Sequence, residues 1–276
     1  MRMQKTILIT GCSSGIGYDT AHYLHNNGYR VFATARKSED VQRLKEEGLD
    51  SYLLDVTRSE TISKTLDAIL AKTEGKLYAV FNNAGYGQPG AVEDIPTDVL
   101  REQFETNLFG LHEVTRQVIP LMRAQGYGRI IQHSSVLGLI SLRFRGAYNA
   151  SKYAIEGLCD TLRLELDKDD IHIVTINTGP VHSHFRKNAT QKFYEHIDGK
   201  ATVFKKEYAQ ELLPHEKKKE KDPFTRNSDV VIANILKILE SKKPRPRYYN
   251  TSATHLLGSL KRILPTAILD KILLKI

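Results

Sequence analysis

The sequence predicts an α/β fold, with a doubly wound parallel sheet in a single domain over residues 1–276 and a C-terminal helical extension. Short apolar runs rich in β-branched residues alternate with stretches of helical periodicity, which is typical of a parallel sheet covered by helices on both faces. A glycine-rich turn follows the first apolar run, as in the Rossmann-type folds that bind dinucleotides. Both observations predict that one sheet uses most of the chain.

Six strands alternate with helices through a dinucleotide-binding and catalytic core, residues 4–185. The predicted strands are Thr6–Thr10, Arg30–Thr34, Ser51–Leu54, Leu77–Phe81, Arg129–His133 and Ile171–Ile176. The predicted helices are Tyr18–Asn27, Asp40–Glu47, Glu60–Lys72, Asp98–Gln125 and Ala147–Asp167. Pro120 predicts a kink or break in the fourth helix, because proline lacks the amide hydrogen and its ring crowds the preceding turn.

The alternation of strands and helices stops after Ser183. Residues 186–228 are polar and contain the charge run EKKKEK, which predicts an irregular substrate loop or lid. Residues 229–276 form the extension, with predicted helices at Ser228–Leu239, His255–Leu264 and Thr266–Ile276 and a Pro/Arg-rich turn at Lys242–Arg247. The last two helices are amphipathic and too short to span a bilayer. We expect them to pack on the protein through Leu256, Leu260, Ile263 and Leu264 in the first helix, with membrane-surface contact as the second interpretation.

Composition favours a cytoplasmic protein. No apolar run approaches the ~20 residues that span a bilayer, and the N-terminus lacks the apolar core of a secretory signal. The two cysteines, Cys12 and Cys159, fit a reducing compartment. The net charge of +8 lies in the C-terminal third, where residues 186–276 carry 20 lysines and arginines against 10 acidic residues.

This basic segment lacks the aromatic or groove-matched partners of a nucleic-acid reader, so no nucleic-acid partner is expected. A solvated surface is the preferred interpretation of the charge. Attraction to an anionic membrane or to a phosphorylated cofactor is the alternative.

The turn Thr10–Gly17 (TGCSSGIG) lies where the first strand meets the first helix. Amides at a helix N-terminus bind pyrophosphate, and glycines let the backbone approach the phosphates. The candidate cofactor residues of this turn are Gly11, Ser13, Ser14, Gly15, Ile16 and Gly17.

Arg36 and Lys37 follow the second predicted strand. An NAD enzyme places Asp or Glu about 20 residues after the glycines, where the carboxylate accepts from the ribose 2′-OH. Ala35 occupies that place here. A guanidinium binds a 2′-phosphate through two hydrogen bonds, whereas a carboxylate repels it. We therefore expect NADP(H) rather than NAD(H), with Arg36 capping a surface loop as the alternative.

Tyr148 and Lys152 are four residues apart in a predicted helix, so they share one helical face. An ammonium there, together with a positive nicotinamide, is expected to lower the pKa of the phenol. Tyr148 then donates a proton to a carbonyl oxygen or accepts one in reverse, and Ser135 donates a hydrogen bond to that oxygen.

Together these motifs resemble the short-chain dehydrogenase/reductase family over about residues 4–185. Its pieces appear in order: TGCSSGIG (Thr10–Gly17), LDVT (Leu54–Thr57), NNAG (Asn82–Gly85), Asn107, Ser135, YNASK (Tyr148–Lys152) and GPVHS (Gly179–Ser183). The resemblance implies a catalytic tetrad of Asn107, Ser135, Tyr148 and Lys152. In it, Asn107 holds a water that connects Lys152 to solvent, and Lys152 binds the nicotinamide ribose.

The resemblance implies further cofactor contacts. Asp55 and Val56 contact adenine. Asn83, Ala84 and Gly85 line the cofactor, with Tyr148 beside it. Pro180, Val181 and Ser183 meet the nicotinamide amide, and Ser14, Arg36 and Lys37 lie at the 2′-phosphate. Two positions depart from the family pattern: Thr178 stands where proline is usual, and Ser183 replaces threonine.

Within the family, the sequence is most similar to the subgroup with 17β-hydroxysteroid dehydrogenase type 1, retinol dehydrogenases and bacterial NADP-dependent aldehyde reductases. The segments TGCSSGIG, YAIEGLCDTL and GPVH carry this similarity, and the C-terminal KKPRPRY and LKRILP resemble the aldehyde reductases. The resemblance implies a homodimer or homotetramer that reduces low-polarity aldehydes or ketones with NADPH. The alternatives are a retinol- or steroid-type dehydrogenase and a non-catalytic NADP-binding sensor.

Four other residues are interpreted as structural. His182 and His184 have no further ligands at metal spacing, so no metal is expected. His133 is expected to pack at a strand end, and Cys12 to be a small buried residue within the cofactor turn.

Overall fold

A computed structural model describes residues 4–212 and 224–276 as one sheet of parallel strands between two layers of helices. The strands are β1 (Thr6–Ile9), β2 (Arg30–Ala35), β3 (Asp50–Leu53), β4 (Ala79–Asn82), β5 (Gly128–Ser135), β6 (Ile171–Thr178) and β7 (Arg247–Tyr249). Their order is β3-β2-β1-β4-β5-β6-β7. The direction of winding changes between β1 and β4, and ligands of such sheets bind outside the carboxyl ends of the strands at that point.

The helices divide between the two faces of the sheet. They are α1 (Gly15–Asn26), α2 (Ser38–Glu46), α3 (Ser59–Lys72), α4 (Thr97–Phe104), α5 (Leu111–Gln125), α6 (Gly146–Glu165), α7 (Phe185–His196), α8 (Lys205–Glu207), α9 (Asp229–Glu240), α10 (Ser252–Ile263) and α11 (Thr266–Leu273). Apolar side chains of α1, α2 and α9 cover one face, and those of α3, α5 and α6 cover the other. Strands β1, β2, β4, β5 and β6 are therefore buried along most of their length, as expected for a parallel sheet covered on both faces.

The long helix predicted over Asp98–Gln125 is interrupted, although not at Pro120. A π-helical turn, Glu105–Gly110, separates α4 from α5. The break expected at Pro120 is wrong, because α5 continues through it. Pro120 and Arg116 are exposed, so water can satisfy the Arg116 carbonyl that proline leaves without an amide partner.

The sheet has one strand more than predicted. Arg247, expected to end a turn, begins β7 and pairs with Thr175 of β6. A three-residue strand is too short to show strand periodicity. In the predicted irregular segment, residues 186–196 belong to helix α7, while the EKKKEK run lies outside the described residues.

The helices α10 and α11 pack against the turn that follows β5. Leu257, Leu260, Leu264 and Leu273 contact a cluster of Val136, Ile140 and Leu269. The apolar face predicted for α10 is wrong in part, because Leu256 and Ile263 are 56% and 75% exposed. Leu257 takes their place against the protein. Among residues 4–212 and 224–276, no helix combines the length and apolarity needed to cross a bilayer.

Candidate active site

The glycine-rich turn Thr10–Gly17 lies between β1 and α1, at the change of winding direction. Gly11 and Gly15 have φ of +73° and +61°, where glycine is strongly favoured. A Cβ on Gly17 would lie 2.4 Å from the Asn83 side-chain nitrogen. The other candidate residues of the turn are half-buried: Ser13, Ser14 and Ile16. This turn fits a pyrophosphate at the N-terminus of α1.

The segment after β4 holds this turn in place. The amides of Asn83 and Ala84 each donate to the Thr10 hydroxyl over 3.0 Å. The side-chain nitrogen of Asn83 donates to the carbonyls of Thr10 and Gly11, over 2.9 and 3.1 Å. The shape of the turn therefore depends on β4 as well as on its own glycines.

Arg36 and Lys37 are exposed beyond the end of β2. A cavity of about 620 Å³ opens there, lined by Arg36, Lys37, Ser38, Glu39, Asp40 and Leu53. Ala35 ends the strand, and Asp40 pairs with Arg43 over 3.1 Å. The two cations at the strand end fit a phosphate group, although Glu39 brings one carboxylate into the same cavity.

Asp55 and Val56 follow β3, near the expected adenine position. The Asp55 carboxylate accepts from the amide and the hydroxyl of Thr57, over 3.0 and 2.8 Å. Val56 is buried against Gly110, where a Cβ would lie 2.7 Å from it. Both residues have structural partners within the chain, and their contact with adenine stays a prediction.

The structure brings Ser135, Tyr148 and Lys152 together at the carboxyl end of β5 and the start of α6. The Lys152 ammonium lies 5.5 Å from the centre of the Tyr148 ring. It donates to the main-chain carbonyl of His133 over 2.6 Å. The Ser135 hydroxyl donates to the Thr178 carbonyl over 3.3 Å. These groups can hold and protonate a carbonyl oxygen.

Burial has the largest effect on the pKa values of Tyr148 and Lys152. It raises the pKa of Tyr148 to about 12, against a smaller lowering by a hydrogen bond with Ser135. It lowers the pKa of Lys152 to about 8. In the chain alone, desolvation of the phenolate dominates. The expected lowering of the Tyr148 pKa includes the charge of a bound nicotinamide and stays a prediction. At neutral pH the phenol is protonated, which is the form that donates a proton.

Asn107 lies in the π-helical turn Glu105–Gly110, with every polar atom of its side chain bound. Its oxygen accepts from the Tyr86 amide over 3.0 Å. Its nitrogen donates to the Tyr86 carbonyl and to the Ser151 hydroxyl, over 2.9 and 3.2 Å. A Cβ on Gly85 would lie 3.0 Å from that same oxygen. The relay role of Asn107 stays a prediction, and its side chain connects the segment after β4 to α6.

The segment Pro180–Ser183 follows β6, at the same edge of the sheet as the glycine-rich turn. Val181 forms an isolated parallel bridge with Arg226, whose amide donates to the Pro180 carbonyl over 3.1 Å. A Cβ on Gly15 would lie 3.3 Å from that of Ser183. This segment, which is expected to meet the nicotinamide, therefore adjoins the glycine-rich turn.

Phe185 was not anticipated from the sequence. Its ring meets the Tyr148 ring edge to face at 5.4 Å, and it lies close enough to Gly87 to exclude a side chain there. Phe185 thus forms an apolar wall beside the reactive phenol. It begins α7, just before the segment 186–228 that was predicted to be irregular, so no periodicity indicated it.

A buried ion pair behind α6 was also missed. Arg247 donates to Glu156 over 3.0 Å and to Asp160 over 2.7 Å. Asn177 donates to the second oxygen of Glu156 over 2.6 Å. These contacts connect β6 and β7 to the helix that carries Tyr148. Only the position of Glu156, one turn after Lys152, could have suggested them.

The residues without a proposed role in the chemistry are placed as follows. Cys12 is fully buried, and burial raises its pKa to about 12, so it is a thiol at neutral pH. His182 and His184 are exposed. In the described ranges no group of three metal-ligating side chains comes together.

Comparison with known proteins gives concordant results. The sequence model of the family described as short chain dehydrogenase matches residues 5–193. The chain is 38% identical to the uncharacterized oxidoreductase YbbO of Escherichia coli K12, over 98% of this chain and 94% of that protein. It is 31% identical to human 17-beta-hydroxysteroid dehydrogenase type 1, over 90% of this chain and 78% of that enzyme.

Solved structures show the same fold. A short-chain dehydrogenase from Streptomyces avermitilis superposes with a TM-score of 0.79 at 26% identity, covering 99% of this chain and 94% of that one. A serine dehydrogenase complexed with NADP⁺ has a TM-score of 0.76 at 23% identity, with 90% and 95% covered. A short-chain dehydrogenase/reductase from Burkholderia phymatum in complex with NAD has a TM-score of 0.77 at 22% identity, with 93% and 92% covered.

Proposed function

The chain belongs to the short-chain dehydrogenase/reductase family of oxidoreductases, and from that premise we propose that it reduces low-polarity aldehydes or ketones to alcohols with NADPH. The observation that carries the proposal is the position of Tyr148 and Lys152. They lie one helical turn apart and close to Ser135. Lys152 is connected to the glycine-rich turn through His133 and Asn83. This arrangement supports acid–base chemistry on an oxygen next to a bound dinucleotide.

In the proposed reaction, a bound reduced nicotinamide supplies the hydride. The phenol of Tyr148 donates its proton to the carbonyl oxygen, while the hydroxyl of Ser135 donates a hydrogen bond to that oxygen. The Lys152 ammonium stays fixed by the His133 carbonyl and stabilises negative charge that develops on Tyr148. Because the phenol is protonated at neutral pH in this environment, the resting acid suits reduction better than oxidation.

NADP(H) is the cofactor that the strand end after β2 favours. Arg36 and Lys37 border the cavity there, and the family's acidic position is Ala35. Among the structural neighbours, one is complexed with NADP⁺ and another with NAD. The proposed preference for NADP(H) therefore depends on this chain's own residues. The two cations would attract the 2′-phosphate, which NAD(H) lacks.

Apolar side chains next to the phenol support a substrate of low polarity. Phe185 covers the Tyr148 ring, and the cluster around Val136 and Ile140 borders the same end of β5. A retinol- or steroid-type alcohol dehydrogenase is the second candidate, favoured by the 31% identity to 17-beta-hydroxysteroid dehydrogenase type 1. A non-catalytic NADP sensor would not need Ser135, Tyr148 and Lys152 together.

We further propose a cytoplasmic homodimer or homotetramer with peripheral membrane contact through α10 and α11. Leu256, Ile263 and Ile268 are at least half exposed on these helices. The exposed basic residues beside them are Lys261, Arg262, Lys271 and Lys275. Basic side chains around an apolar face suit an anionic lipid surface.

A substrate panel tests the function. Aldehydes, ketones, a retinoid and a steroid are supplied with NADPH or NADH, and consumption of the reduced nicotinamide is followed by absorbance. We expect turnover of apolar aldehydes or ketones with NADPH, and none with the Tyr148→Phe variant. If wild type and variant consume the reduced nicotinamide only at the same background rate with every substrate, the protein would be a non-catalytic NADP sensor and the proposed activity would be wrong.

A further inference from the structure

His133 lies at the end of β5, between the neighbouring strands β4 and β6. One ring nitrogen, Nδ1, lies 2.9 Å from the side-chain oxygen of Asn83. The other, Nε2, lies 2.9 Å from the Thr178 hydroxyl. The imidazole therefore spans the sheet from the segment that holds the glycine-rich turn to the residue that ends β6.

The partners determine which nitrogen carries the proton. The Asn83 amide nitrogen already donates to the carbonyls of Thr10 and Gly11, so its oxygen faces His133 and must accept. Nδ1 is consequently the protonated nitrogen, and Nε2 accepts from the Thr178 hydroxyl. Burial lowers the pKa of His133 to about 3, so the ring is neutral and can accept at Nε2.

The chain of hydrogen bonds continues into the C-terminal extension. The side-chain nitrogen of Asn250, one residue after β7, donates to the Thr178 hydroxyl over 2.8 Å. The oxygen of Asn250 accepts from Asn234 of α9 over 2.5 Å. From Asn234 to Asn250, Thr178, His133 and Asn83, each side chain donates to the next, so the hydrogen bonds run in a single direction from α9 to the carbonyls of Thr10 and Gly11.

We propose that His133 is a positioning residue for the cofactor, which sets the glycine-rich turn and the segment Thr178–Ser183 relative to each other through its Nδ1–H tautomer. The proposal rests on the proposed function, because both connected segments border the nicotinamide cofactor cleft. Thr178 is the partner on which it depends. A proline at that position, which is usual in the family, would have no hydroxyl for Nε2.

The test compares Thr178→Val with Thr178→Ser in the full-length protein. Valine keeps the shape and removes the hydroxyl, while serine keeps the hydroxyl. NADPH binding is measured by calorimetry without substrate. We expect Thr178→Val to raise the dissociation constant about fivefold or more, within the usual range of coupling between sites, and Thr178→Ser to stay near wild type. Because the His133 main-chain carbonyl still holds Lys152, kcat at saturating NADPH should change less than the dissociation constant.

Two further variants separate the two arms of the imidazole. In His133→Asn the new side-chain amide lies near the position of Nδ1 and can still bond to Asn83. In His133→Gln the amide lies near the position of Nε2 and can still bond to Thr178. Adding Thr178→Val should weaken NADPH binding further in His133→Gln but not in His133→Asn, which has already lost that arm. The ¹⁵N shifts of the wild-type ring should show a proton on Nδ1.

The inference is overturned if Thr178→Val binds NADPH as wild type does, or if the ring proton is on Nε2. Wild-type protein that binds neither NADPH nor NADH would contradict the proposed function, and the inference would fail with it. Wild-type binding with no difference between the valine and serine variants would overturn the inference alone.

Discussion

The Nζ of Lys152 donates a 2.6 Å hydrogen bond to the main-chain carbonyl oxygen of His133. A buried ammonium on α6 is thus held by β5, the strand that ends at Ser135. Since a main-chain oxygen carries no net charge, the bond fixes the position of the ammonium without neutralising it. The pKa of Lys152, lowered to about 8 by burial, then lies close to working pH.

The rate of carbonyl reduction should fall as pH rises through about 8. Lys152 is an ammonium below its pKa and neutral above it, while Tyr148, with a pKa raised to about 12, stays protonated across this range. The pH profile of kcat with NADPH measures this fall in rate, which is the alkaline limb of the profile. In Lys152→Arg, whose guanidinium does not titrate there, the limb should disappear. A limb that stays near pH 8 in the variant would assign it to another group.

Replacing Tyr148 by phenylalanine should remove the proton donor and keep the ring contact with Phe185. General acid catalysis contributes ~10²–10⁴-fold, so kcat should fall by at least ~10²-fold. The dissociation constant for NADPH should stay within about twofold, since the change removes only the hydroxyl. A variant with a third of the wild-type kcat would exclude Tyr148 as the acid.

Arg36→Ala should raise the Michaelis constant for NADPH far more than that for NADH. Losing a charge-assisted hydrogen bond to phosphate costs about 1.5–3 kcal/mol, or roughly 10- to 150-fold. Steady-state kinetics with both cofactors measure the difference. Lys64→Ala, an exposed change on α3, is the control and should affect neither. Equal effects of Arg36→Ala on both cofactors would show that this residue does not contact the 2′-phosphate.

Arg247→Met should lower the free energy of unfolding by about 3 kcal/mol, because it leaves the carboxylate of Glu156, only 8% exposed, without its cation. Arg116→Met breaks the pair of Arg116 and Glu113, in which the arginine side chain is 60% exposed, and should lower the stability much less, because water screens an exposed pair. Urea unfolding of the two variants gives the comparison. Similar losses in both would mean that β7 is not anchored through Glu156.

The exposed face of α10 should bind anionic lipid. Leu256→Ser combined with Ile263→Ser removes apolar surface that the protein core does not use. Full-length protein should float with anionic liposomes, and the double variant should not, while both keep the same kcat. Leu269→Ala, a change at a buried position of α11, is the control for packing on the protein. It should lower the free energy of unfolding by about 2–5 kcal/mol. Equal flotation of wild type and double variant would contradict membrane contact through this face.

Sequence patterns were sufficient where the deciding contacts are local. The first six strands each contain a short group of apolar residues, so their positions were predictable. The three residues of β7 form a strand because Arg247 pairs with Thr175 and reaches Glu156, and neither partner is near in sequence. Likewise Gly110, which ends the π-helical turn, lies against Val56, a contact that no helical periodicity encodes.

The residues of the site also differ in how far the sequence could identify them. The spacing of Tyr148 and Lys152 follows from one helical turn, and the residues of the glycine-rich turn are consecutive, so both were identifiable. The partners of His133 lie 50 and 45 residues away. A polar residue in an apolar strand indicates a buried hydrogen bond, but only the fold identifies its partners. Phe185 reaches Tyr148 in the same manner, across separate elements.

Strands β4, β5, β6 and β7 follow one another both along the chain and across the sheet. A nascent chain leaves the ribosome N-terminus first, so it can extend the sheet at one edge, strand after strand. Asn107, Ser135, Tyr148 and Lys152 emerge before β6 is complete, whereas Asn250 follows Thr178 by 72 residues. During synthesis the four side chains proposed to catalyse the reaction are therefore all present before Thr178 receives its hydrogen bond from Asn250. A ribosome that stalls before residue 250 holds a chain with these four residues in place and the Thr178 hydroxyl still without that donor.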